Sequence, residues 1–353
     1  MARPRRRRGL SSAGCLVLSL GWANGGHAKA SSICSFDGFV TQRALACEEW
    51  CRHPLLNTSR AAILCGWCSC GCSATAGGLA AQVEVADFDK AVAAISNAAA
   101  AGLLPPLASL LTIMDAVSHN AESALRRQRG WSKHRVLSFL GRYGNIGTEP
   151  AQLLAYVRAL LCLDTPPRNV CEVGLFEGHS AVLFLALTAR QVATYVSIDP
   201  HEFGFSAAVQ EFLSMRFPGR TVFIRGLSDT QLNATKNPSL SHCNVWSLDG
   251  DHHPSAVARD GGNALRASPH VDMILMDDVT DSETTIHRNT HGRTHGRCSV
   301  TLGAWGAVKA SAGKAFSASN CSFAGSKYGT PAYCSAWCIG LTRAPGSGLR
   351  RLR

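Results

Sequence analysis

From residue 150 onward the sequence alternates between two kinds of segment, and this alternation limits the fold more than any other feature of the chain. "NVCEVGL", "ATYVSIDP", "RTVFIRG", "CNVWSLDGD" and "VDMILMDDV" each hold a short apolar run. "PAQLLAYVRALLC", "GHSAVLFLALTAR" and "SAAVQEFLSMRF" precede or separate them and read as helices. Strands alternating with helices predict a mostly parallel sheet covered on both faces, a Rossmann-like doubly wound α/β domain. In such sheets ligands bind beyond the carboxyl ends of the strands.

Those ends carry the polar residues of interest. Glu172, Gly174 and Gly178 mark the first strand end, and Asp199 the second. Gly226, Ser228 and Asp229 follow the third, Asp249, Asp251 and His252 the fourth, and Asp277 and Asp278 the fifth. Any one of these acids could serve only as a helix cap. Acids at so many strand ends exceed what a mixed polar rim predicts.

The first loop, "EVGLFEGHSAV", has the spacing E-x-G-x-x-x-G followed by small Ser180. It is not the G-x-G-x-x-G of a dinucleotide site. Its first glycine permits a tight turn and its last lets a helix N-terminus approach a ligand. A carboxylate at Asp199 suits the two hydroxyls of a ribose. With no cradle for a pyrophosphate, these residues point to an adenosine cofactor such as S-adenosylmethionine.

On these motifs the chain from about 135 to 342 resembles class I S-adenosylmethionine-dependent methyltransferases. Within them it is most similar to the small-molecule O-methyltransferases related to catechol O-methyltransferase. The loop of that group often reads E-x-G-x-[aromatic]-x-G-[aromatic]-S-A. Phe176 takes the first aromatic position, and His179 stands where tyrosine is usual. The resemblance implies Glu172, Gly174, Gly178, Ser180 and Asp199 as cofactor-binding residues, and Ser228, in a G-x-S turn, near the adenine. "SLDGDHHPSA" and "ILMDDV" resemble the segments that hold a metal in metal-dependent members. They imply Asp249, Asp277 and Asp278 as hard oxygen ligands for Mg2+. Asp249 and His252 are the implied catalytic residues. His252 takes the place of the family's lysine, and a histidine can accept a hydroxyl proton near neutral pH. Metal-assisted and metal-free catalysis both stay open on these residues. The implied reaction is methylation of a small-molecule or saccharide hydroxyl, with the protein mainly aligning the reactants. Two other readings keep the fold: hydroxylase-type chemistry, and a secreted glycan-binding protein whose methyltransferase-like domain is catalytically inactive.

The N-terminal part reads differently. "MARPRRRRG", a short apolar stretch and "AKA" at 28–30 have the form of a secretory signal, with an organelle transit peptide as the rival. The stretch is too short for a membrane span. Seven cysteines between Cys34 and Cys72 predict a disulfide module over 31–75, with zinc ligation as the rival. Sequons at Asn57, Asn233 and Asn320 fit a secretory route. Residues 76–134 are Ala/Leu-rich and predict two helices, and 343–353 read as a disordered basic tail.

The chain's net charge of +11 falls to +5 without residues 1–30, which argues against a nucleic-acid partner. "IHRNTHGRTHGRC" spaces His287, His291 and His295 four apart, but Gly292 and Gly296 favour a loop over a zinc-binding helix face. This loop is either a solvated insertion or an overhang in which Arg288, Arg293 and Arg297 attract an anionic acceptor.

Overall fold

The computed structural model describes residues 85–136, 146, 150–163, 166–191, 193–251, 253–280, 300–311, 318–324 and 335–341. The leader, the Cys-rich module, His252, the basic loop after the fifth strand and the C-terminal tail lie outside the described residues.

Five parallel strands form as the apolar runs predict: β1 (Asn169–Val173), β2 (Thr194–Asp199), β3 (Thr221–Arg225), β4 (Cys243–Leu248) and β5 (Met273–Met276). All six residues of β4 are buried, as expected for a strand covered on both faces. Two-residue strands β6 (Val279–Thr280) and β7 (Val300–Thr301) pair with each other. Strands β8 (Ala318–Ala324) and β9 (Ser335–Leu341) complete a seven-stranded sheet of order β3-β2-β1-β4-β5-β9-β8. Strand β9 runs antiparallel between β5 and β8. In the sequence "YCSAWCIGLTR" reads as a closing strand and falls on β9, whereas β8 is unmarked. "ASNCSFA" carries no apolar run, and an edge strand in an antiparallel pair does not require one.

Helices α1 (Val85–Ala100) and α2 (Leu107–Arg129) are the expected Ala/Leu-rich pair. Helix α2 ends at Gly130, whose left-handed backbone (φ +61°) lets its N–H bond Arg126 O. Helices α3 (Pro150–Leu161), α4 (His179–Leu187) and α5 (Ser206–Arg216) join α1 and α2 on one face of the sheet. There they bury Val170, Tyr195, Val245, Met273 and Leu275. After the short α6 (Ser228–Gln231), helices α7 (Pro254–Ala267) and α8 (Leu302–Ser311) cover the other face, over Cys171, Val196, Trp246 and Ile274. The helices change face between β1 and β4, so the chain winds outward in both directions from that junction. A disulfide between Cys171 and Cys243 ties the same two strands together, across 72 residues of sequence. Among the described residues, no helix is long and apolar enough to cross a membrane.

Candidate active site

The junction of β1 and β4 is where a doubly wound sheet opens a crevice. Gly174 leaves β1 with φ +93°, and its N–H bonds Ile198 O on β2 at 2.9 Å. On the other side Asp249 N–H bonds Val173 O at 3.0 Å. A Cβ on Gly174 would lie 2.1 Å from Asp249 O, so only glycine lets β1 end this close to β4. Gly178 (φ +78°) caps α4, where a Cβ would meet Val209 Cγ1 at 2.7 Å. Between the glycines, Phe176 also takes a positive φ, +42°. Its ring lies edge-on to Phe203 and Phe205, at 5.3 and 5.4 Å between centroids.

Asp199 ends β2 with its carboxylate on this loop. Its Oδ2 accepts the N–H of Leu175 at 2.9 Å and its Oδ1 the N–H of His201 at 2.6 Å. Glu172 does not follow β1 as the sequence reading placed it. It lies within the strand, buried, and accepts the Tyr195 hydroxyl. Burial raises its pKa to about 8, with a smaller contribution from the Asp249 charge; the hydroxyls of Ser180, Tyr195 and Ser247 oppose the shift. Its Oε1 makes no hydrogen bond of standard geometry within the protein. Glu172 is therefore largely a neutral acid at pH 7.

Ser228 begins α6, and its hydroxyl bonds both oxygens of Asp260 on α7, at 2.8 and 2.9 Å. Asp260 was not singled out from sequence, and a lone acid in a helix gives no signal. Burial raises its carboxyl to about 6, and the Ser228 bond partly offsets the shift. Gln152 and Tyr156 on α3 were also missed. Gln152 Nε2 donates to Tyr156 Oη at 3.2 Å. The Tyr156 pKa is raised well above 10, first by burial and then by the nearby charge of Asp277, with Asp249 and Glu172 adding to it. The hydroxyl is therefore neutral at pH 7.

The expected metal set fares differently. Leu248 and Met276 are in register, so Asp249 and Asp277 do leave adjacent strands. Asp249 is exposed, however, and Asp277 Oδ1 accepts the N–H of Asp278, which turns at φ +53°. Among the described residues, no group of three or more His, Cys, Asp or Glu side chains could hold a metal ion. The Mg2+ ligation that the resemblance implied for Asp249, Asp277 and Asp278 therefore finds no support among the described residues.

The adenosine cofactor passes the same test. Buried acids at Glu172 and Asp199 and a glycine-bounded loop before a helix N-terminus fit a cationic, ribose-bearing ligand. Residues 171–279 match a family model described as a methyltransferase domain. The match spans β1 to β6, the stretch that builds this crevice. Together with the strand order, the match makes residues 171–279 similar to a methyltransferase domain, in keeping with the resemblance to class I S-adenosylmethionine-dependent methyltransferases.

Two solved structures are similar at low identity. Cofactor-bound Rv0187 from MTB is 14% identical, with a TM-score of 0.40, covering 65% of this chain and 89% of that one. The S-adenosylhomocysteine-bound Podospora anserina methyltransferase PaMTH1 is 14% identical, with a TM-score of 0.38, covering 64% and 88%. No curated protein matches the chain.

Proposed function

We propose that the chain is an O-methyltransferase acting on the hydroxyl of a small molecule or a saccharide. The observation that carries this reading is Asp199, a buried carboxylate ending β2 and bonded to the loop that carries Gly174 and Gly178. S-adenosylmethionine, when bound, supplies a methyl group already activated on a sulfonium. Asp199 has lone pairs beyond its two backbone bonds and would receive the ribose hydroxyls. Glu172 offers Oε1 to the cationic end of the cofactor, and ionises as it does so. Gly174, Gly178 and Ser180 let α4 present its N-terminus closely. Asp249, exposed after β4, is the described carboxylate best placed to take the acceptor's proton; His252 is the second candidate. No step here requires a metal.

The basic loop with Arg288, Arg293 and Arg297 favours an anionic acceptor. A lumenal or secreted location is supported by the leader and by the Cys171–Cys243 disulfide, since such bonds persist in oxidising compartments.

The test is calorimetric titration of S-adenosylmethionine into the oxidised full chain. Binding near 1 μM, about −8 kcal/mol, that disappears in Asp199→Asn supports the reading. No heat from a folded sample sinks it. A labelled-methyl acceptor screen then separates O-methylation from N- or C-methylation by the product formed.

A further inference from the structure

Three buried polar side chains stand together beside the loop joining β1 to α4, and the proposed reaction uses none of them. Glu177 is 0%, His179 3% and Ser118 4% exposed. Glu177 and His179 flank Gly178. Ser118 comes from α2, outside the matched residues 171–279. Ser118 Oγ lies 2.6 Å from His179 Nε2 and 3.4 Å from Glu177 Oε2, and that oxygen is 3.7 Å from His179 Nε2. A hydroxyl has one proton to give. With that proton directed to Glu177, the His179 Nε2–H donates to Ser118, and the chain of bonds runs from His179 through Ser118 to Glu177. A buried carboxylate is costly without such partners. Apolar packing marks the same place: a Cβ on Gly178 would meet Val117 of α2 at 3.5 Å.

We propose that Ser118, through His179 and Glu177, is a positioning residue by which helix α2 sets the conformation of the cofactor loop. The loop needs an outside hold. Phe176 sits at φ +42°, a backbone state that persists in a non-glycine residue only where surrounding structure enforces it. The helical segment ahead of the sheet is then part of the cofactor-binding unit rather than an appendage. The affinity half of the following test rests on the S-adenosylmethionine reading, while the exchange half does not.

The full chain is compared with Ser118→Ala, Ser118→Thr and Glu177→Gln by amide hydrogen exchange and by calorimetric titration of S-adenosylmethionine. Ser118→Ala should speed exchange of the amides at 175–182 on the order of tenfold, leaving β4 and β5 unchanged, and weaken binding by a similar factor. Ser118→Thr, which keeps the hydroxyl, should restore both. Wild-type exchange and affinity in Ser118→Ala overturn the proposal. So does a Ser118→Thr variant that behaves like alanine, since packing alone then explains the effect. If the wild type binds no cofactor yet the loop exchange responds as expected, the S-adenosylmethionine reading fails and the positioning role stands. If Ser118→Ala does not fold, Glu177→Gln, which keeps the volume, is read the same way, and an unchanged loop there overturns the proposal.

Discussion

Gly174 and Asp249 meet where a side chain has no room: the Cβ that Gly174 lacks would stand 2.1 Å from the Asp249 carbonyl oxygen. The φ of +93° at Gly174 adds a second reason for glycine. Gly174→Ala should therefore part the ends of β1 and β4 and cost about 3 kcal/mol or more, from backbone strain and overpacking together. Thermal denaturation would register this as a lowered Tm, and cofactor binding should be lost along with it. An unchanged Tm would mean that the two strand ends are not held this close in solution.

Glu172 makes stability depend on pH. Its folded pKa of about 8 lies above the ordinary 4.5, so between these values the unfolded chain has released a proton that the folded chain still holds. Stability should fall as pH rises across that window, at up to about 1.4 kcal/mol per pH unit from this group. Glu172→Gln has no proton to lose and should flatten the slope. Urea unfolding of both proteins from pH 5 to 8 checks this, and parallel slopes would show that Glu172 is ionised throughout.

The same group should couple to the cofactor. At pH 7 free Glu172 is mostly protonated, and a cation beside Oε1 favours the carboxylate. Binding of S-adenosylmethionine should then release close to one proton, visible as binding heats that differ between buffers of unlike ionisation enthalpy. Glu172→Gln should abolish the release. Identical heats for the wild type in all buffers would place the cation away from Glu172.

Ser228 and Asp260 form a pair whose loss is measurable. Ser228→Ala removes the hydroxyl bonded to both Asp260 oxygens and should cost about 1–3 kcal/mol at pH 7, where the buried carboxylate is left unsatisfied. The Asp260 pKa, about 6 in the native protein, should rise further because the Ser228 bond holds it down. The cost should shrink as pH falls toward 4 and the carboxyl becomes neutral. A cost independent of pH would assign it to packing.

The disulfide gives a further check. Closing a loop across 72 residues stabilises by about 4 kcal/mol on chain-entropy grounds. Non-reducing peptide mapping should recover Cys171 linked to Cys243, and strong reductant under mild denaturation should lower the unfolding midpoint. Free thiols at both positions in protein purified from an oxidising compartment would refute the bond.

Much of the fold was legible because its signals are local. The apolar runs of β1 to β5 announce strands buried on both faces, and Ala- and Leu-rich segments announce helices. Gly174, Gly178 and Asp199 were legible because a positive φ or a strand-end carboxylate leaves a mark at one position. Strand β8 left none, since its hydrogen bonds come from β9 and its residues lack the run that marks an inner strand. Asp260, Tyr156 and Ser118 were invisible for a related reason. Asp260 meets Ser228 across 32 positions, and Ser118 meets His179 across 61. Spacing in the sequence says nothing about such partners. The metal reading rested on spacing, and no grouping among the described residues supports it. Three aspartates with suitable spacing are compatible with a site, but spacing does not say where their oxygens point.

From residue order alone come the α/β class, the position of the crevice at the strand ends, and the chemical type of the cofactor loop, because periodicity and glycine placement act through neighbouring residues. Folding in three dimensions settles the rest. It neutralises Glu172 by burial, turns Ser228 toward Asp260, and brings α2 against the loop, because burial, register and long-range contact exist only once distant segments are packed together.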